Sequence, residues 1–413
     1  MNNNKRWLYL ITGTIALLFL GLIYAWSIFK TPFSELYPDW TISQLSMTFT
    51  ISMAFFCLGG FVGGLMSKKY SVKVRFILAA VMLFIGFFVV SSMNTEKSGA
   101  SLTMLYIFYG VFGGGGVGIG YNTVIGSLNK WFPDKAGLAS GIMLMGFGLG
   151  GLALGSIVNS MIGSIGLFPT FKILAIAIAI VCVLAAFIIK VPGQEDMAEL
   201  AKLIVPAKTS DKTEAPASKD YTAGEMLKTS NFWIFIIWTI LLNSAGLLVI
   251  NSAANIAIAF GGTATLGMIV SLFNGAGRIV AGSNFDRKGT TFSTFVNTGF
   301  MLLAGLLLTL GGISGKFLFI MLGLIFVGMS YGGCPTLTSA YINGAFGAKN
   351  FPTNFSIANF SLMIGATIGP MVSASLLESA GGSYNTNFYA IIGFAAGALV
   401  LCFILAALGK KKN

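Results

Sequence analysis

Few residues of this chain could do chemistry, and one of them is exceptional. Arg278 lies in LGMIVSLFNGAGRIVAGSNF, an apolar stretch broken only by small and amide residues. Asp286 and Arg287 mark the nearest water. In a helix, Asp286 lies about 12 Å along the axis from Arg278. Half a hydrocarbon core is about 15 Å, so Arg278 sits near mid-depth. An arginine there costs about 2.5–3.5 kcal/mol on insertion scales, and it cannot escape by deprotonating. A cavity, a partner or a bound anion must offset that cost. Two readings are open: an arginine satisfied by carbonyls and water at a helix packing point, or a site for a substrate anion. Asn274 stands four residues earlier on the same helix face. Its amide can bond a carboxylate, orient the guanidinium, or simply pack.

The other candidates are neutral. Tyr121 falls about 13 Å from Lys130 by helical rise. Tyr331, in MSYGGCP, and Asn359, in IANFS, also fall near mid-depth; Tyr24, in YAWSIF, lies nearer the outer end. A buried phenol needs a partner for its hydroxyl. These residues are either core or, with Arg278, the few polar groups of an apolar small-molecule pocket. Asp286 and Arg287 read as a pair that meets a helix end and holds one closed state, or as a solvated turn. Pro335 and Pro370 interrupt late helices, as flexible bends or as static kinks. GGGGVGIGYN at 113–122 lacks the Lys-Ser/Thr ending of a phosphate loop, and close helix packing explains it.

Several chemistries are excluded. The chain has no histidine, and its four cysteines lie far apart in apolar stretches, so neither a metal site nor a disulfide framework is expected. No nucleophile–base arrangement exists, so no catalytic residue is assigned, an enzyme is not expected, and no cofactor is implied. Every acid falls in a loop or close to a helix end. Proton-driven carriers usually place a titratable group within the membrane, and this chain has no obvious one.

The elements that must position these residues follow from composition. The 413 residues are 55% hydrophobic and 9% charged, against about 25% charged in soluble domains. This is a polytopic membrane protein. Helix-length apolar stretches fall near 7–30, 44–66, 76–94, 102–129, 137–160 and 167–190, then near 231–259, 264–283, 291–312, 316–341, 353–378 and 384–408. The first is too long for a signal-peptide core and lacks a cleavage site. The fold class is all-α: twelve transmembrane helices in two pseudo-symmetric six-helix bundles, residues 1–190 and 230–413, joined by a cytoplasmic linker at 191–229. The linker's first part suits a helix lying on the membrane, its middle a flexible tether, and Thr222 to Glu225 a capping box that starts a short helix.

The halves repeat. GGLMSKKYS at 63–71 corresponds to AGSNFDRKG at 281–289, and DKAGLASGIMLMGFGLGGLALG at 134–155 to AKNFPTNFSIANFSLMIGATIG at 348–369. Parallel repeats place a binding site at mid-membrane between the halves, exposed alternately by rocking. The net charge of +12 does not indicate nucleic acid, because the positives lie in short loops. Of the 25 Lys and Arg residues, 20 fall on one side and four on the other, which puts both termini in the cytoplasm.

GLIYAWSIF at 21–29, KWFPDKAGLASG at 130–141, AGEMLKTSNFW at 223–233 and FNGAGR at 273–278, together with the six-plus-six split, resemble the major facilitator superfamily and, within it, the oxalate:formate antiporter family. The resemblance spans almost the whole chain. It implies a carrier for small carboxylates, related to the monocarboxylate transporters; a plasma (inner) membrane location, lipid surroundings and function as a monomer are expected with it. It assigns the substrate arginine to Arg278 and part of an aromatic cage to Tyr24, Tyr121 and Tyr331. The chain departs from the pattern where a lysine of the eleventh span becomes Ala358, followed by Asn359. Phe147 replaces a cage tyrosine and Val327 a tryptophan. Asn274 stands where proton-coupled monocarboxylate carriers have an aspartate. The expectation is therefore exchange or facilitated diffusion of monocarboxylates; oxalate:formate antiport and proton-coupled symport are the alternatives.

Overall fold

The computed structural model describes residues 3–93, 98–203, 220–250, 252–267 and 269–410. The linker reading over 204–219, and Lys97, Lys208, Lys212, Lys219, Lys411 and Lys412, lie outside the described residues.

The described chain folds into helices α1 (Asn3–Leu20), α2 (Trp26–Leu36), α3 (Ile42–Met66), α4 (Val72–Val90), α5 (Ser98–Met104), α6 (Gly114–Leu128), α7 (Ala136–Ile165), α8 (Leu167–Ile188) and α9 (Gln194–Leu203). After the linker come α10 (Ala223–Leu227), α11 (Ser230–Ile250), α12 (Ala253–Ala259), α13 (Ala264–Gly267), α14 (Ile269–Ser314), α15 (Phe317–Phe346), α16 (Phe351–Ala358), α17 (Phe360–Ser379) and α18 (Asn385–Lys410). Among the described residues, 11 helical segments are long and apolar enough to cross a membrane. One of them, α14, has 46 residues. That is about 69 Å at 1.5 Å per residue, roughly twice a hydrocarbon core. It is two helices: Gly289 leaves helical geometry at φ 73° and ψ −174°. This left-handed value suits glycine, and it turns the eighth span into the ninth. The chain thus has the twelve spans expected of it.

Several spans are less regular than their hydropathy suggests. The first passes through a 3-10 segment, Gly21–Ala25, between α1 and α2. The fourth holds a π-helical stretch, Leu105–Gly113, between α5 and α6. The seventh does not run on to residue 259; α11 stops at Ile250 and α12 is a separate short helix, because Ser252 leaves helical geometry. The eleventh is divided into α16 and α17 at Asn359. Helix starts follow capping chemistry. Thr222 and Glu225 form the expected reciprocal box at α10, and Thr41 and Gln44 form another at α3. The early linker is helical, as α9. Ile11, Ile180, Phe187 and Val400 are among many large apolar side chains left exposed on the helices, as lipid-facing surfaces require.

The chain divides into two compact units. The first comprises Met1–Pro133 and Gly146–Leu203, the second Asp134–Met145 and Ile204–Asn413. Helix α7 contributes to both: its first turns belong to the second unit and its remainder to the first.

Candidate functional site

In the second unit, Arg278 is 3% exposed on α14. Two neighbouring helices come close to it because the residues facing them are small. A methyl group on Gly277 would stand 2.2 Å from the Met329 carbonyl oxygen of α15. A methyl group on Gly141 would stand 2.5 Å from the carbonyl oxygen of Arg278 itself. The guanidinium is oriented from two directions. Its Nε donates to Asn274 Oδ1 at 3.1 Å, and Nη1 donates to the Leu144 carbonyl of α7. These bonds use two of the five N–H donors of a guanidinium. No carboxylate among the described residues pairs with Arg278. Its charge is held in place by dipoles but not neutralised.

Asn274, half-buried, lies against α15. A methyl group on Gly332 would come 2.8 Å from Asn274 Oδ1. The adjacent Tyr331 is buried, with its ring over Gly246 of α11, where a methyl group would approach within 2.7 Å. Asn359, half-buried, occupies the junction of α16 and α17, while Ala358 beside it is completely buried. The structure therefore brings Arg278, Asn274 and the Tyr331–Gly332 turn of α15 together in one unit. α15 and α17 run through Pro335 and Pro370 as single helices.

Asp286 stands at the end of the eighth span. Its Oδ1 accepts from the Gly137 amide and its Oδ2 from the Leu138 amide, each at 2.7 Å. These are first-turn amides of α7, which have no partner within the helix, and a carboxylate there also meets the positive end of the helix dipole. The approach depends on glycine, since a methyl group on Gly282 would stand 2.2 Å from the Gly137 carbonyl oxygen. Ser140 and Ser339 hydroxyls, 2.9 Å apart, tie the next turn of α7 to α15. Of the pair expected to meet a helix end, Asp286 does so; Arg287 is exposed and its side chain makes no such bond.

The first unit carries the other two candidate tyrosines, Tyr24 and Tyr121. Tyr24 packs edge-on against Phe147 with centroids 5.3 Å apart, and Tyr121 lies 4.8 Å from the same ring. Phe56 closes the cluster, 5.1 Å from Tyr121 and 5.7 Å from Phe147. Phe147 joins the two tyrosines, a role that its position in the sequence alone does not reveal. The carbonyl of Leu144 is a second contributor missed by sequence reading, because a backbone acceptor has no residue signature.

Twelve spans in two related bundles, with Arg278 buried in the eighth span and an aromatic cluster, define a membrane transporter. The description of the Major Facilitator Superfamily matches residues 8–337, and the chain belongs to that family, whose members are transporters of small molecules and not enzymes. The chain is 27% identical over 419 residues to the oxalate:formate antiporter of Oxalobacter formigenes, covering 98% of this chain and 93% of that one. It is 30% identical over 135 residues to monocarboxylate transporter 12 of Xenopus laevis, covering 33% of this chain and 28% of that one. Among solved structures, the proton:xylose symporter XylE superposes with a TM-score of 0.76 at 14% identity, covering 98% of this chain and 96% of that chain. This last similarity is one of fold.

Proposed function

We propose that this protein is a secondary transporter of small carboxylate anions that works by alternating access, as a monocarboxylate exchanger or facilitated carrier. One observation supports this above the others: Arg278 is 3% exposed and unpaired with any carboxylate among the described residues. A buried fixed charge is stable when an opposite charge meets it, and an anionic substrate supplies one. Arg278 binds the carboxylate through the planar fork that suits it. Asn274 orients the guanidinium. Tyr24, Tyr121, Tyr331 and Asn359 shape and dehydrate the pocket. Asp286 and Arg287, at the 8–9 turn, and Pro335 and Pro370 belong to the moving parts. Those parts are the halves 1–190 and 230–413, tethered by 191–229. The protein resides as a monomer among the lipids of the plasma (inner) membrane, with both termini cytoplasmic.

Oxalate:formate exchange is the second reading, favoured by the similarity to the Oxalobacter formigenes protein along nearly the whole chain. Against it stands charge: oxalate is a dianion, and this chain has Arg278 as its one deep cation by sequence, with Ala358 where the resemblance expects lysine. Proton-coupled symport lacks a membrane acid, since Asn274 replaces the aspartate. The test is counterflow in proteoliposomes with labelled formate, acetate, lactate, pyruvate and oxalate. We expect preloaded vesicles to exchange a monocarboxylate at equal internal and external pH. Accumulation that occurs only under an inward proton gradient, and collapses with a protonophore, would replace exchange by symport. Failure to move any of the five would overturn the carboxylate assignment.

A further inference from the structure

The fifth and eleventh spans occupy equivalent places in the repeat, yet their first turns are held differently. At α7, the Asp286 carboxylate of the 8–9 turn takes the amides of Gly137 and Leu138. The repeat puts Lys68 where Asp286 stands, and Phe351 and Pro352 where Gly137 and Leu138 stand. The acid is missing, and so are the amides it would meet. Proline has no N–H, and the Phe351 amide already donates to the Ala348 carbonyl. The start of α16 is instead bound by the far end of the linker. The Lys349 amide donates to Asp220 Oδ1 at 3.0 Å. The Tyr221 carbonyl accepts from Asn350 Nδ2 and Asn354 Nδ2, each at 3.0 Å. The Tyr221 amide donates to the Phe346 carbonyl, also at 3.0 Å, and the Tyr221 ring packs edge-on against Phe346 at 5.4 Å.

We propose that Asp220 and Tyr221 are positioning residues for transport: they form a strap that fixes the register of α16 and, through it, the place of Asn359. α16 is short, running from Phe351 to Ala358. Asn359 lies about 14 Å along the helix from Asn350. The strap grips one end of a nearly rigid rod whose other end carries a substrate-facing amide. The linker is thus part of the carrier's machinery at this end, and not merely a tether. The role of Asn359 rests on the carboxylate reading given above; the strap's grip on α16 does not.

The full-length protein in proteoliposomes tests this in two ways. Asp220→Ala removes the acceptor for the Lys349 amide, whereas Asp220→Asn keeps an oxygen in the same place. In counterflow of whichever monocarboxylate the unmodified protein exchanges, Asp220→Ala should raise the half-saturating concentration at least fivefold with the maximal rate within twofold. Asp220→Asn should restore it to within twofold of the starting value. A second measurement needs no substrate. A cysteine at Asn359 is alkylated against four native cysteines that are all buried. Adding Asp220→Ala should change that alkylation rate at least threefold, and Asp220→Asn should not. An unchanged alkylation rate in Asp220→Ala overturns the strap, as does a fall in maximal rate with half-saturation unaltered. If the unmodified protein exchanges no carboxylate, the functional reading fails, and the alkylation rates alone decide the strap.

Discussion

The two halves share a scaffold and divide the chemistry unequally. The repeat that aligns the 2–3 and 8–9 turns puts Gly60 in the second span where Arg278 stands in the eighth. In the first half that neighbourhood serves packing: a methyl group on the adjacent Gly59 would stand 2.2 Å from the Gly115 carbonyl oxygen of α6. In the second half the same place carries a charge, Arg278, held by Asn274 of its own helix and by the Leu144 carbonyl of α7 from the first half. The first half supplies rings, with Phe147 joining Tyr24 and Tyr121; the second supplies the cation, the amides and the Asp286 cap. A duplicated bundle keeps its helix packing through small residues. It is then free to specialise at a position such as Gly60, where a methyl group would meet nothing nearer than the Gly118 carbonyl oxygen at 3.7 Å.

If charge resides in one half, a second cation should change what that half accepts. Ala358 is completely buried, so a lysine there would disrupt packing; Asn359 is half-buried and can host one. Leaving one partner of a buried pair unmatched costs about 3–5 kcal/mol. Water in a cavity softens this, so we expect Asn359→Lys to shift preference from monocarboxylate toward oxalate by about tenfold, or 1.4 kcal/mol. Competition of unlabelled oxalate against a labelled monocarboxylate reads this directly. Oxalate that already outcompetes every monocarboxylate in the unmodified protein would break the one-cation comparison.

The cap on α7 should matter next. Hydrogen bonds to charged groups contribute about 1.5–3 kcal/mol each, and Asp286 makes two. Asp286→Ala should slow exchange about fivefold and make α7's first turn more accessible, seen as faster labelling of a cysteine at Ala136. Lys68→Asp should change exchange less than twofold, since the repeat puts Pro352, which has no N–H, where Asp286 has the Leu138 amide. An equal response to the two substitutions would make the halves equivalent at their turns.

The aromatic half should be the most tolerant of polar change. Tyr121→Phe keeps the ring that packs on Phe56 and Phe147 and removes the hydroxyl. It should alter half-saturation by about two- to threefold, on the scale of one hydrogen bond of roughly 0.5–1.5 kcal/mol. Tyr121→Ala, which also removes the ring, should cost more. A hundredfold loss in Tyr121→Phe would place a decisive polar contact in the first half.

Much of this was legible in sequence, for physical reasons. Arg278 stood out because a permanent charge in an apolar span is costly whatever surrounds it. The spans followed from hydropathy, and the capping box at Thr222 from a local spacing rule. The acid of the 8–9 turn was expected at a helix end, although not at which amides. The features left unread depend on three-dimensional proximity or on backbone. The Leu144 carbonyl, the π-helical stretch at 105–113 and the single-residue turn at Gly289 have no distinctive side-chain pattern. Phe147 read as a lost hydroxyl when its ring is what joins the tyrosines. Asp220 was one of several acids in a polar linker, and only folding shows that it meets the Lys349 amide.

The proposed carrier depends above all on the Arg278 guanidinium holding the substrate's carboxylate. The most direct measurement is equilibrium binding of a labelled monocarboxylate to the purified protein, with Arg278→Gln and Arg278→Lys alongside and thermal melting as a control for folding. The account predicts saturable binding in the unmodified protein, weaker binding in Arg278→Lys, which keeps the charge but loses the planar fork, and at least a hundredfold loss in Arg278→Gln with melting preserved. Binding in Arg278→Gln within twofold of the unmodified protein would contradict it and leave Arg278 as a packing residue satisfied by Asn274 and Leu144.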